Sequence, residues 1–201
     1  MNIINVGRTC AQVVSGPVLA AALIWAAPMS AAQAQPVQAA PERQPTYAAS
    51  AGQGQGFSLQ YGYHNKYQRF GLAYETPPLW SHSFTESGRL DLSVEMGVGY
   101  WKADRGSPDS LWHVSAVPVV RWWPGNAYYL EVGVGPSLLN RSHFADKNLG
   151  SRFQFTSHIG GGFVIDDVHR FGVRYTHVSN AGIKRPNPGL DLIEVSYTYQ
   201  F

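Results

Sequence analysis

Apolar and polar residues alternate along most of the chain from Phe57 to Phe201. On one face of the clearest segment lie the apolar residues Leu90, Leu92, Val94, Met96, Val98 and Tyr100. Because the side chains of a strand point alternately to its two faces, this period of two predicts β-strands. Eight segments alternate in this way, and their apolar faces include, in chain order, Phe57, Phe70, Leu90, Trp112, Tyr128, Phe153, Phe171 and Ile193.

The details of these segments favour a membrane barrel over a soluble β-sandwich, which would also alternate. Several segments reach about ten residues, the length that a tilted strand needs to cross a bilayer. Aromatic residues cluster near the predicted strand ends, as in the interfacial girdles of membrane barrels: Trp80, Tyr100, Trp101, Trp122, Trp123, Tyr128 and Tyr129. The opposite faces carry glycines and polar or charged residues that suit a narrow lumen better than an apolar core: Glu95, Arg121, Glu131, His158, Arg174 and Glu194. The pattern therefore predicts an all-β chain that folds as an eight-stranded antiparallel transmembrane β-barrel.

Residues 1–34 have the features of a secretory signal peptide. Arg8 precedes an apolar run from Val13 to Ala27, and Ala32-Gln33-Ala34 provides small residues for cleavage after Ala34. Cys10 is the only cysteine of the sequence and would be removed with this segment. The mature chain would then have neither a thiolate metal site nor a cysteine nucleophile.

The remaining residues divide into a leader and one domain. Residues 35–56 are rich in Gln, Ala, Pro and Gly and have no period, which predicts a flexible periplasmic leader. Residues 57–201 form the predicted outer-membrane barrel domain. The formal net charge is only +2, and the basic residues are not clustered as a nucleic-acid-binding surface requires. We therefore expect no nucleic-acid partner.

The connections between the predicted strands give the barrel an orientation. If the chain enters from the periplasm, the turns at Pro124-Gly125-Asn126 and at Asp166 to His169 lie on the periplasmic side, where membrane barrels have short connections. The connection from Pro77 to Ser87 is long for such a turn. The seventh strand then rises toward the cell exterior, so its end is expected at the outer leaflet, where lipopolysaccharide is found.

Polar residues interrupt the apolar face of this seventh strand. Phe171, Val173 and Tyr175 are followed on the same face by His177 and Ser179. Polar side chains in such positions cost free energy and often mark function. Residues two apart on a strand have Cα atoms about 6.5 Å apart, within reach of an imidazole–hydroxyl hydrogen bond. A histidine base activates a serine nucleophile through such a pair.

Strand parity selects the carboxylate that would orient the histidine. If the last two strands pair through the loop at 180–189 with His177 opposite Asp191, Asp191 shares the lipid-facing side. The same register places Glu194 opposite Arg174 in the lumen. Asp191 is therefore the predicted acid, and a register slip of one residue would select Glu194 instead.

The segment that follows carries a resemblance to a known family. His177-Val178-Ser179-Asn180-Ala181-Gly182-Ile183-Lys184, with Pro186-Asn187 and Gly189 after it, resembles the signature of the lipid A 3-O-deacylases (PagL-type) of Gram-negative outer membranes. The resemblance is sharp from Arg174 to Glu194, and the barrel architecture agrees with it. It implies a serine esterase that needs no cofactor and no metal. Such an enzyme hydrolyses the ester at position 3 of lipid A and releases a 3-hydroxy fatty acid.

The resemblance also implies roles for individual residues. His177 would be the base, Ser179 the nucleophile, and Asn180 a residue needed for activity. The backbone N–H of Gly182 and the side chain of Asn187 would donate hydrogen bonds to the oxyanion.

The remaining positions of this segment have two interpretations each. Asp191 aligns with an acid that is commonly Glu in the family, so its side chain is one methylene shorter. Lys184 and Arg185 either contact the phosphates of lipid A or belong to a solvated loop. Gly182 and Asn187 could equally serve to shape a turn.

Two other functions are compatible with a small barrel. A non-catalytic structural barrel would leave lipid A unchanged. A lipid A acyltransferase would add an acyl chain and hold it in an apolar slot of the lumen, which charged and Gly-rich faces do not provide. The expected partners are lipid A or lipopolysaccharide and the outer membrane. A homodimer is also compatible with a lipid-facing cleft, because such a barrel can pack against a copy of itself.

Overall fold

The computed structural model describes residues 54–85 and 88–201. The predicted signal peptide and nearly all of the predicted leader lie outside these residues. No helix within them is long and apolar enough to cross a membrane. The described strands are β1 (Gly56–His64), β2 (Tyr67–Glu75), β3 (Trp80–Thr85), β4 (Gly88–Ala103), β5 (Ser110–Trp123), β6 (Tyr128–Leu139), β7 (His143–Phe144), β8 (Lys147–Asn148), β9 (Phe153–Ile165), β10 (His169–Ser179) and β11 (Leu190–Gln200).

Nine of these strands form one antiparallel sheet that closes on itself. Their order is β2-β1-β11-β10-β9-β6-β5-β4-β3, and β2 also pairs with β4. β2 pairs with residues 95–103 of β4, whereas β3 pairs with residues 88–92 of the same strand, so β2 and β3 share one position in the wall. The barrel formed by the described residues therefore has eight strand positions, which confirms the predicted fold. β7 and β8 form a separate small hairpin.

The strand β3 accounts for the long connection that was expected between Pro77 and Ser87. Residues 80–85 of this segment are not a turn, because they form β3 and continue the wall beside β4. The segment was missed because residues 76–79 interrupt the alternation between β2 and β3. Residues 124–127 and 166–168 form the expected short connections, and His169 begins β10.

The two faces of the barrel wall differ in polarity. Large apolar side chains such as Leu59, Phe70, Val132 and Ile193 are exposed on the outside. Charged side chains are buried inside, namely Arg69, Glu75, Arg89, Asp91, Glu95, Arg121, Glu131, Arg170, Arg174 and Glu194. This arrangement is the reverse of a water-soluble protein and is typical of a barrel whose outer surface faces lipid.

The charges in the lumen are paired. Arg121 contacts Glu75 at 2.8 Å and Glu131 at 2.9 Å. Arg174 contacts Glu95 at 2.9 Å, and its Nε donates to Glu194 at 2.6 Å. Arg174 thus pairs with Glu194, which the predicted register placed opposite it, and Glu95 and Glu131 also pair with arginines. Such pairing lets charged side chains fill the lumen without leaving an isolated buried charge.

An apolar cluster fills the lumen at the end where the connections 104–109, 140–152 and 180–189 lie, which we call the loop end. Its members are Tyr67, Trp101, Ala103, Leu111, Leu139, Phe144, Leu149, Val178, Leu190 and Leu192. The lumen is thus not charged along its whole length, contrary to the interpretation of the inward faces. Val178 and Leu190 belong to this cluster, so it anchors the ends of β10 and β11, which carry the candidate site.

Candidate active site

The pairing of β10 with β11 places His177 directly opposite Asp191 and Arg174 opposite Glu194. This is the register that strand parity predicted. The Nδ1 of His177 donates a hydrogen bond to Oδ1 of Asp191 at 2.7 Å, and each side chain is 40% exposed. Glu194 is fully buried in the lumen. The carboxylate beside the imidazole is therefore Asp191, on the outer side of the wall.

This hydrogen bond determines how the imidazole can act. Because the Nδ1–H donates to a carboxylate, the neutral ring carries its free lone pair on Nε2. Within the described residues, Nε2 of His177 makes no hydrogen bond. An imidazole held in this tautomer by a carboxylate is what a general base requires.

Ser179 is the last residue of β10 and lies two positions after His177, on the side of the strand that parity assigns to both. It is 9% exposed, so it is more buried than the expected lipid-facing position suggested. No hydrogen bond joins its Oγ to His177 within the described residues. Such bonds are often long until a substrate is bound. The strand therefore provides a hydroxyl next to the base, but not a formed hydrogen bond.

Asn180 organises the loop that follows. Its side chain is completely buried, and its Nδ2 donates to the carbonyl oxygens of Leu149 at 2.9 Å and Lys184 at 2.8 Å. Its Oδ1 accepts from the backbone N–H of Lys184 at 3.3 Å. The amide thus joins the loop to the segment after β8. Every hydrogen bond that its side chain makes within the described residues is to backbone.

The two candidate oxyanion donors lie in the same loop and are exposed. The backbone N–H of Asn180 donates to Oδ1 of Asn187 at 3.0 Å, which orients that amide and leaves its Nδ2 free to donate. Gly182 has a φ of +78°, and its N–H has no partner within the described residues. Both groups are therefore available to a ligand. Lys184 and Arg185 are exposed beside them.

Three contacts at the site were not predicted from the sequence. The hydroxyl of Tyr175 donates to Oδ1 of Asp191 at 2.5 Å. The hydroxyl of Tyr67 donates to the backbone oxygen of Asp191 at 3.1 Å and accepts from its N–H at 3.0 Å. Lys147 donates to the backbone oxygen of Gly189 at 3.2 Å. Tyr175 shares the outward face with His177, so the alternation along β10 could have indicated its place at the site. Tyr67 and Lys147 come from distant elements, and no sequence pattern indicates them.

Comparisons with known proteins show which family and which solved fold the chain resembles. A family described as lipid A 3-O-deacylase (PagL) matches residues 67–200. The lipid A deacylase PagL of Bordetella bronchiseptica is 53% identical over 148 residues, which cover 73% of this chain and 83% of that protein. The lipid A deacylase PagL of Pseudomonas aeruginosa is 32% identical over 133 residues, which cover 64% and 75%. A crystal structure of the outer membrane enzyme PagL superimposes with a TM-score of 0.65 at 27% identity, over 73% of this chain and 99% of that one.

Proposed function

The chain belongs to the lipid A 3-O-deacylase (PagL) family and is a lipid A deacylase of the outer membrane, and from this premise we propose that Ser179, His177 and Asp191 form its catalytic triad. The observation that supports the triad most directly is the 2.7 Å hydrogen bond from His177 to Asp191 on the outer side of the barrel wall. Because Ser179 lies two residues from His177 on the same strand, both groups can reach one substrate bond.

The substrate in this proposal is lipid A of the outer leaflet, and the reacting bond is the ester at position 3. The acyl chains lie along the apolar exterior of the barrel, where Ile159 and Ile193 flank Tyr175, two positions before His177 on β10. A site on the outside of the wall can take its substrate sideways from the bilayer. The product that leaves is a 3-hydroxy fatty acid.

The first half of the reaction forms an acyl-enzyme. The Nε2 of His177 takes the proton of the Ser179 hydroxyl as Oγ attacks the ester carbonyl carbon. Asp191 keeps the ring in the correct tautomer and stabilises its positive charge. When the tetrahedral intermediate collapses, His177 gives the proton to the departing sugar oxygen. Water then repeats the sequence on the acyl-enzyme, which releases the fatty acid and restores Ser179.

The tetrahedral oxyanion needs hydrogen-bond donors. In our proposal these are the backbone N–H of Gly182 and the Nδ2 of Asn187, supported by the free donors of both groups. One such donor is worth about 3 kcal/mol of transition-state stabilisation. Asn180 is a positioning residue in this scheme, because its side chain holds the loop through Leu149 and Lys184 while its backbone N–H orients Asn187.

Several further assignments belong to the same proposal. Lys184 and Arg185 contact the phosphates of lipid A, which exposed basic residues beside the site can reach. Residues 1–34 are a signal peptide and residues 35–56 a periplasmic leader, which N-terminal sequencing of the mature protein would test. A homodimer stays a prediction, and cross-linking in outer membranes would test it.

Mass spectrometry of lipid A from cells that express the protein tests the nucleophile. The wild type should remove one 3-hydroxyacyl group, and Ser179→Ala should leave lipid A intact although the barrel folds. Ser83→Ala, at an exposed position of β3, is the matched control and should act as the wild type. Full deacylation by folded Ser179→Ala would refute the nucleophile. A gain in lipid A mass with the wild type would indicate acyl transfer, and no change would indicate a structural barrel.

A further inference from the structure

The carboxylate of Asp191 receives two hydrogen bonds on one oxygen. His177 Nδ1 donates to Oδ1 at 2.7 Å, and the hydroxyl of Tyr175 donates to the same atom at 2.5 Å. Within the described residues, Oδ2 has no hydrogen-bond partner. The orientation of the carboxylate beside the imidazole therefore depends on Tyr175 as well as on His177.

We propose that Tyr175 is a positioning residue of this enzyme, which holds the carboxylate of Asp191 against His177. The inference rests on the proposed triad and adds a fourth side chain to it. Tyr175 lies two residues before His177 on β10, so strand parity puts both side chains on the outward face that Asp191 also shares. One strand thus presents the nucleophile, the base and the group that fixes the acid.

Within the described part of the chain, Tyr175 is the one side chain other than His177 that donates a hydrogen bond to the carboxylate of Asp191. Tyr67 binds both the N–H and the carbonyl of Asp191, which fixes the backbone of β11 at this point. The side chain of Asp191 can still rotate about its two side-chain bonds. A second donor on Oδ1 restricts that rotation, and donors to a charged oxygen form the stronger class of hydrogen bond. Precise placement of such groups strongly affects catalytic rates.

The competing explanation is that Tyr175 serves only as an interfacial aromatic. It is 45% exposed on the lipid-facing side, where tyrosine is common in membrane barrels. The substitution Tyr175→Phe separates the two roles, because Phe keeps the ring and removes the hydroxyl. Tyr63→Phe is the matched control, since Tyr63 is 54% exposed on the outward face of β1 and forms no hydrogen bond through its hydroxyl within the described residues.

The test is a double-mutant cycle with Asp191→Ala, in which kcat and KM for lipid A are measured in mixed micelles. Tyr175→Phe should lower kcat about tenfold and leave KM within about twofold, because a lost hydrogen bond to a charged group has roughly that effect. In the Asp191→Ala background the same substitution should change kcat no further, since its partner is absent. Tyr63→Phe should leave kcat unchanged in either background, that is, equal to the wild type in one and to Asp191→Ala in the other.

The other outcomes distinguish failure of the positioning role of Tyr175 from failure of the proposed triad. An unchanged kcat for Tyr175→Phe, an effect on KM alone, or an equal loss in both backgrounds would each overturn the positioning role. If Asp191→Ala alone retained full kcat, the proposed triad itself would be wrong. A role of Tyr175 through Asp191 would then be wrong with it.

Discussion

Gly189 lies against the imidazole of His177, and a Cβ added to Gly189 would come within 2.7 Å of His177 Cε1. Gly189 also has a φ of +64°, a backbone conformation that residues with a side chain rarely adopt. Both facts require glycine where the loop returns to β11. Position 189 therefore borders the site directly, whereas in the sequence it stood out only as part of the family signature.

The substitution Gly189→Ala should lower the deacylation rate by about tenfold or more, because the methyl group must displace the ring of the proposed base. The left-handed backbone adds about 1 kcal/mol of destabilisation. The measurements are the initial rate per folded barrel and the melting temperature in detergent. Gly125→Ala is the control, since a Cβ there would meet no atom within 4 Å. A wild-type rate for Gly189→Ala would show that the ring does not need its observed position.

Removal of the proposed acid should have a much larger effect. We expect Asp191→Ala to lower kcat by about 10³-fold or more, as loss of the acid does in other serine triads. The melting temperature should change little, because the side chain of Asp191 is partly exposed. Rates on lipid A, normalised to folded protein, provide the measurement.

Glu194→Ala is the matched comparison and should show the opposite behaviour. Glu194 pairs with Arg69 and Arg174 in the lumen, so its removal leaves two buried guanidinium groups with fewer partners. Breaking such a pair destabilises a protein by about 3–5 kcal/mol, while the rate per folded molecule should stay near that of the wild type. Loss of catalysis with Glu194→Ala alone would mean that Asp191 is not the acid.

The alternation of side chains along each strand predicted which residues face outward from the barrel and which face the lumen. Once His177 and Asp191 are opposite each other, the outward position of Asp191 and the inward position of Glu194 follow without further information. The eight-strand barrel followed in the same way from alternation and strand length.

The contacts that the sequence did not predict join elements far apart in the chain. Tyr67 reaches Asp191 across β1, and Lys147 reaches Gly189 from the hairpin of β7 and β8. Neither contact produces a periodic pattern in the sequence, because both depend on how the strands close into a barrel and how the loops fold over the apolar cluster. The cluster itself was missed because its members come one or two at a time from many strand ends and loops.

Asn180→Ala should reduce activity through the loop and not through direct chemistry. It removes the hydrogen bonds from Nδ2 to Leu149 and Lys184, so the backbone around Gly182 and Asn187 loses its support. We expect the deacylation rate to fall by about tenfold or more. Limited proteolysis of the folded barrel should also cut the loop 181–188 sooner than in the wild type.

The control for this prediction is Asn126→Ala, an exposed position in the short connection between β5 and β6. It should leave both the rate and the proteolysis pattern unchanged. If Asn180→Ala lost activity while the loop kept its wild-type resistance, Asn180 would act on the substrate directly and the positioning role would be wrong.

Arg121 offers a test of the lumen that is separate from the chemistry. Its side chain is 2% exposed and binds Glu75 and Glu131 at once, near the end of the barrel that carries the short connections. Arg121→Ala leaves Glu131 with Arg174 at 3.8 Å as its nearest remaining cation. We expect the barrel to lose about 3–5 kcal/mol of stability, measured by unfolding in detergent.

The control is Arg141→Ala, at an exposed position after β6, which should unfold as the wild type. Deacylation per folded molecule should be the same for Arg121→Ala and the wild type, because the site lies at the loop end. Equal stability of Arg121→Ala and the wild type would show that the paired charges do not hold the barrel together.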